Sequence, residues 1–293
     1  MGYVKEFQDK IEKREIETFL ICIKIDTQKL DMADRKNKNI SVVIITLNEE
    51  KNIERCIKSA KQISNDIVVV DSGSMDKTVH LAMDLGARVF TKTWEGYASQ
   101  KNFGNQKTIN NLIFSMDADE EISKELASNI LKEIAANKND VNLSINILSN
   151  LEGKFIYHGG CYPDWHLRLF NKSNTHWNSD LVHERLVHKE VFPEIKVTGN
   201  LLHYTATTRY FFWSKTERYA FLYAENKVEK EVEYNAGKKY YSSIFRFIKE
   251  YALKMGFLDG SAGWVIAMQN ARYTYLKYFY MEYLYELALD DLN

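Results

Sequence analysis

Between residues 40 and 117 the chain alternates between two kinds of segment. Ser41–Thr46, Asp66–Asp71, Ala87–Thr91 and Asn111–Met116 are short runs rich in β-branched and large apolar side chains. Their interiors are apolar at consecutive rather than alternate positions, the pattern of a strand covered on both faces. Polar segments separate them. Asn48 is placed to cap a helix running to about Gln62, with Glu49 and Glu50 in its first turn. Asp76–Thr78 opens another that stops at Gly86, and Ser123 starts one that reaches about Ala136. Strands alternating with helices in this way predict a parallel, doubly wound sheet with right-handed crossovers. After Val141 the pattern changes to short extended pieces, at 142–149, 153–158, 166–171, 186–192 and 196–203. These read as a mixed extension of the sheet that carries the other half of a cleft.

The flanks differ from this body. Residues 1–39 are charged and weakly patterned, ending in Asp34–Asn39, and read as a poorly ordered lead-in. Met32 opens the stretch leading into the first strand and is a candidate translation start. Residues 205–293 hold 22 of the 38 aromatic residues, at helical spacing, and predict a helical tail. Asp259-Gly260 interrupts it and marks a turn between two long helices. The division is therefore 1–39, 40–204 and 205–293.

Charge and cysteine content narrow the classes. With 39 basic and 40 acidic side chains, the chain lacks the basic excess that non-specific nucleic-acid binding needs. Three scattered cysteines make neither a disulfide framework nor a zinc site, which suits a reducing, cytoplasmic location. No apolar run approaches the roughly 18–20 residues of a membrane span. Phe19–Ile25 is short, broken by Lys24, and followed by no small-residue cleavage site. The tail has 12 basic and 11 acidic residues, so no general attraction to anionic lipid follows. Its aromatics and interspersed lysines nonetheless suit a headgroup boundary, and equally suit packing against the body or another subunit.

Open parallel sheets bind ligands at the carboxyl ends of their strands. Three polar clusters fall there: Thr46-Leu-Asn-Glu49, Asp71-Ser-Gly-Ser74 and Asp117-Ala-Asp-Glu-Glu121. Any one of them is compatible with a plain helix cap or acidic turn; three on one rim point to a site. Asp117 and Asp119, at alternate positions leaving an apolar strand, repel unless a cation lies beside them. Mg²⁺ or Mn²⁺ with a diphosphate is the natural partner. No glycine loop of the P-loop or dinucleotide type is present, so metal would hold the diphosphate.

Thr46-Leu-Asn-Glu-Glu50, Val69–Thr78 and Met116-Asp-Ala-Asp-Glu120, in this order and spacing, resemble glycosyltransferase family 2. Gln100-Lys-Asn102, Tyr162–Phe170, Val182-His-Glu184, His203 and Leu258–Gly263 resemble, more narrowly, its lipopolysaccharide-core β-1,4-glucosyltransferase subgroup. The resemblance covers about 40–290. It implies a GT-A fold, a mixed and mainly parallel Rossmann-like sheet flanked by helices, here with a C-terminal helical extension. It also implies a UDP-sugar donor, with glucose as the sugar, inversion at the anomeric centre, and a lipid-linked saccharide acceptor such as inner-core heptose. The enzyme would be metal-dependent and cytoplasmic, peripheral on the inner face of the membrane.

Family roles carried onto this chain place Thr46, Asn48 and Glu49 around the base and ribose, with Asp71 accepting from the uracil imide. Asp117 approaches the ribose or metal, Asp119 binds the metal, and Lys101 neutralises phosphate unless it is a surface lysine. His203 completes the metal site. An inverting transfer needs one base behind the acceptor hydroxyl. Glu184 is the first candidate, although the family usually carries Glu-Asp there, and Asp164 is its competitor. His183 orients the base, Trp165 lies beside Asp164, and Arg168 meets phosphate or an anionic acceptor unless it forms a buried ion pair. Two other readings remain at this point: a degenerate GT-A fold acting as a binding or scaffold protein, and a sugar-phosphate nucleotidyltransferase. The latter should show a glycine-rich basic signature after the first strand, where this chain is acidic.

Overall fold

Every side chain of β1 (Ile40–Thr46) is buried, and its neighbours explain why. It lies between β2 (Asp66–Asp71) and β4 (Leu112–Asp117), parallel to both, and β3 (Arg88–Thr91) continues beyond β2. The structure, a computed structural model, describes residues 39–137, 141–178, 185–189, 193–204, 209–230, 232, 235 and 237–290. The expected lead-in and Met32 lie outside them. Alternate residues of β1 serve different layers. Ile40, Val42 and Ile44 join a core with Ile53 and Ile57 of α1 (Ile53–Ala60) and Leu126 and Ile130 of α4 (Lys124–Ala136). Ala82 of α2 (Thr78–Asp84) belongs to the same layer. Val43 and Ile45 pack on the opposite face with Val68, Val70, Phe170 and Ala98 of α3 (Tyr97–Lys107). A strand so enclosed has no solvent face, hence its unbroken apolar run.

The second half of the sheet is mixed. β8 (Asp164–Asn171) pairs antiparallel with β4 and with β6 (Asn142–Leu151), and β6 pairs parallel with β11 (Glu194–Tyr204). β5 (Glu120–Ile122) closes the far edge against β11, giving the order β3-β2-β1-β4-β8-β6-β11-β5. β7 (Lys154–Phe155) adds to β6, while β9 (Thr175–Trp177) and β10 (Leu186–His188) form a separate hairpin. The GT-A expectation of a mixed, mainly parallel sheet flanked by helices holds.

Some local expectations are corrected. Asn48 does not cap a helix: its backbone is left-handed (φ 55°) and α1 begins only at Ile53. Its side chain instead accepts from the Met75 amide in the next loop, a contact no local pattern specifies. β5 was not expected, because three acidic and apolar residues carry no strand signal without β11. Ser123 does cap its helix, accepting from the Leu126 amide.

At Gly199 a bulge in β11 brings backbone against α4. Its φ is +98°, and an added Cβ would lie 2.6 Å from the Leu126 nitrogen. Gly199→Ala is expected to destabilise the fold by about 1–3 kcal/mol through strain and overlap. A lower urea midpoint at unchanged slope would show it; an unchanged midpoint would mean that α4 yields freely.

The tail comprises α5 (Arg209–Val228), α6 (Lys238–Ile248) and α7 (Ser261–Asp290), with α5 and α6 both packed on α7. A π-helical segment, Lys249–Leu253, and a 3₁₀ turn, Gly256–Asp259, join α6 to α7. Gly260, at φ 64°, makes the expected break. The Asp259 carboxylate accepts from the His158 amide at 2.8 Å and meets its Nδ1 at 2.9 Å, fixing this turn to the loop before β8. Among the described residues no helix is long and apolar enough to cross a membrane.

Candidate active site

The parallel register sets Thr46 opposite Asp71, and Ile45 opposite Asp117, so three strand ends share one rim. The loops after β1 and β2 are laced together there. The Asn48 and Glu49 amides donate to Ser74 Oγ and Thr78 Oγ1, at 2.8 and 2.7 Å. The Glu50 amide donates to Asp76, and the Lys77 amide returns to Glu50. Asp71 organises its own turn, with Oδ2 accepting from the Gly73 and Ser74 amides at 2.9 Å and Oδ1 from the Ser74 hydroxyl. Glu49 is half-buried; burial and the nearby Asp119 and Asp76 charges raise its pKa despite a hydrogen bond from Asn52.

The end of β4 holds a charge cluster. The chain turns at Ala118 and Asp119 before entering β5, so the alternation expected to align Asp117 with Asp119 does not extend past Asp117. Asp117 faces Lys101 Nζ at 3.6 Å and Arg168 Nη2 at 3.8 Å. Burial favours its neutral form, but these two cations outweigh burial and hold its carboxyl below the usual range. Lys101 is no surface lysine: it is buried, its ammonium 4.6 Å from the Trp177 ring. Arg168 makes the buried ion pair, at 2.5 Å from Glu120 Oε1. The other Glu120 oxygen accepts from the Asp117 amide at 2.8 Å. Burial pushes Glu120 up to about 7, against the pull of Arg168.

Asp119 follows in the turn between β4 and β5, its side chain partly exposed. Its Oδ2 lies 3.2 Å from His203 Nε2, and its carbonyl accepts from the Tyr204 amide. Burial favours neutral His203, yet Asp119 outweighs it and raises the imidazole pKa. One carboxylate and one imidazole suit a divalent cation that keeps water and takes diphosphate oxygens. Among the described residues no three His, Cys, Asp or Glu side chains converge to hold a metal alone.

β8 runs antiparallel to β4, so its first residues reach the same rim. Asp164 and His166 share one face by strand alternation, and the pairing with β6 slips by one residue at Arg168, which the alternation therefore does not place. Asp164 is half-exposed, 3.0 Å from His166 Nε2, and its amide donates to Asn146 Oδ1. Trp165 lies on the other face, near Lys196. Glu184 and His183 lie outside the described residues, in the segment between Asn178 and Arg185, whose backbones are hydrogen-bonded to each other.

Two participants escaped sequence reasoning. Glu120 was read only as part of an acidic turn, and His166 only as part of a motif. The i, i+2 spacing of Asp164 and His166 was the available signal for His166; Glu120 had none, since its partner Arg168 reaches it only through the fold.

A GT-A sheet with acidic strand ends on one rim is the frame of a sugar-transferring enzyme. The chain belongs to glycosyltransferase family 2: the model of that family, Glycosyl transferase family 2, matches residues 41–195. An uncharacterized glycosyltransferase of Rickettsia typhi is 30% identical over 265 residues, covering 87% of this chain and 90% of its own. The lipopolysaccharide core biosynthesis glycosyltransferase LpsC of Rhizobium meliloti is also 30% identical, over 81% of this chain and 89% of its own. Among solved structures, S. aureus TarS 1-349 in complex with UDP-GlcNAc covers 85% of this chain and 92% of its own, at 13% identity and TM-score 0.41. That last likeness is too loose to speak of substrate. The nucleotidyltransferase alternative falls with the family assignment.

Proposed function

We propose that this glycosyltransferase moves a sugar, with inversion, from a UDP-sugar to a lipid-linked saccharide at the cytoplasmic face of a membrane. Subgroup resemblance names glucose and an inner-core heptose, and the likeness to LpsC supports a lipopolysaccharide-core acceptor. One observation carries the donor site. Thr46 Oγ1 is buried at its strand end without a hydrogen-bond partner, and Asp117 Oδ1, at the adjacent strand end, has no hydrogen bond but only the ion-pair contact with Lys101 Nζ at 3.6 Å. Buried polar atoms are rarely left so, and both belong to the rim where a nucleotide would lie.

In this reading Thr46, Asn48 and Glu49 line the base and ribose. Asp71 already accepts three hydrogen bonds within its turn. A carboxylate offers about four acceptor sites, which leaves one for the uracil imide. Lys101 places buried positive charge behind Asp117. Asp119 and His203 would hold a Mg²⁺ or Mn²⁺ ion, which when bound supplies positive charge beside the leaving diphosphate. The acceptor hydroxyl loses its proton to Glu184 as its oxygen attacks C1 opposite UDP, and a single displacement inverts α to β. Asp164, tied to His166 at the rim, is the competing base or binds acceptor hydroxyls, with Trp165, Arg168 and His183 as supporting residues.

A thermal-shift panel of UDP, GDP, CMP and dTDP, each with and without Mn²⁺, tests this. A ligand that binds only the native state raises its melting temperature by mass action. A metal-dependent shift with UDP alone is expected, and no shift with any nucleotide in folded protein would favour the scaffold reading. Transfer by Glu184→Gln and Asp164→Asn then assigns the base. General-base catalysis contributes about 10²–10⁴-fold, so only the true base should lose that much.

A further inference from the structure

We propose that the outer face of α6, continued by the π and 3₁₀ segments, is a docking surface for an anionic phospholipid bilayer. This deepens the lipid-linked-acceptor reading by naming where the enzyme meets the membrane, but rests on separate observations. Among its described residues α6 buries none, although it has eleven residues and five large apolar or aromatic ones on a single side. Tyr240, Tyr241, Ile244, Phe245 and Ile248 fall at i, i+1, i+4, i+5 and i+8, one helical stripe. All five are exposed, Ile244 at 60% and Phe245 at 59%. Leu253, Met255, Phe257, Leu258 and Trp264 extend the exposed apolar surface beyond the helix. An exposed apolar stripe of this kind marks a binding surface.

Charge identifies the occupant. The tail as a whole is balanced, but residues 238–258 carry five basic side chains and one acidic. That acid, Glu250, is buried against Arg246 and Asn270. The exposed charges are therefore cationic, and helical geometry puts Lys238 and Lys249 along one border of the apolar stripe, with Lys254 further on. An amphipathic helix with aromatics on one face and lysines beside it lies in the plane of a headgroup layer. A second copy of the chain suits this surface poorly, because a two-fold contact sets a patch against itself and would oppose like charges.

The position suits the chemistry. The Asp259–His158 hydrogen bonds, together with one from the Gly159 amide to the Lys254 carbonyl, bind this surface to the loop that leads into Asp164. An acceptor anchored in lipid would thus be presented near the β8 side of the cleft.

Flotation of the full chain with vesicles of phosphatidylcholine, alone or mixed with phosphatidylglycerol, tests the proposal. Wild type is expected to float with the anionic vesicles and stay behind with the neutral ones. Lys238→Glu/Lys249→Glu should lower partitioning by at least about tenfold, since each cation near an anionic surface is worth about fivefold. Ile244→Asp/Phe245→Asp should lower it to the neutral-vesicle level. These positions are exposed, so both variants should keep the wild-type melting temperature and its shift with UDP. Wild type that fails to float, or variants that float as well as wild type, would overturn the proposal. So would a wild-type dimer in sedimentation velocity that Ile244→Asp/Phe245→Asp dissolves, which would give the surface to a second copy. Flotation without any UDP shift would leave the surface standing and remove the donor reading instead.

Discussion

Asp119→Asn is expected to lower sugar transfer by at least about a hundredfold and to remove the Mn²⁺ dependence of UDP binding. The substitution is nearly isosteric. The Asp119 carbonyl would still accept from Tyr204, and His203 would still have a polar neighbour, so the fold should be unaffected. What disappears is the negative charge beside His203. The neighbouring Asp117 cannot take over, because its carboxylate is committed to Lys101 and Arg168. His203→Ala should have the same character but a smaller effect, with the carboxylate still in place. Comparing UDP thermal shifts with and without Mn²⁺ separates lost affinity from lost turnover. Normal metal-dependent binding by Asp119→Asn would remove Asp119 from the metal site.

The second large effect is on stability. Arg168→Met is expected to destabilise the protein by about 3–5 kcal/mol, the usual result of leaving a buried charge without its partner. For a chain of this size that lowers the melting temperature by on the order of 10 °C. Glu120 would lose its Arg168 ion pair while still accepting from the Asp117 amide, and Asp117 would keep its contact with Lys101. Adding Glu120→Gln should recover part of the loss, since the remaining buried group is then neutral. A double variant as unstable as the single one would show that Arg168 acts through packing rather than charge. Calorimetry of the three proteins decides it.

The central sheet was legible because burial on both faces writes itself into sequence as unbroken apolar runs. β1, β2 and β4 needed no partner information to be seen. α3 shows the opposite case. It buries Gln100, Lys101 and Asn105 along with Ala98 and Gly104. Its inward face is polar, so hydrophobic periodicity is silent, and Lys101 could equally be read as solvent-exposed. Asn48 misled for another reason: the same short amide side chain that caps a helix can accept from a loop 27 residues away. Of the site, the acidic strand ends were visible from spacing alone. Glu120 was not, because its role exists only once β8 has folded back along β4 and brought Arg168 to it.

The lacing of the β1 and β2 loops has a thermodynamic consequence for the proposed donor. Five backbone amides, those of residues 48, 49, 50, 75 and 77, are already engaged by side chains of the opposite loop. Fixing a residue's backbone costs about 1–2 kcal/mol, and here folding has met that cost before any nucleotide arrives. The nucleotide would meet a preorganised wall, so its association forfeits little ordering entropy on this side. Loosening the lacing, for instance with Ser74→Ala, would therefore weaken nucleotide affinity while leaving the bond-breaking step itself unchanged.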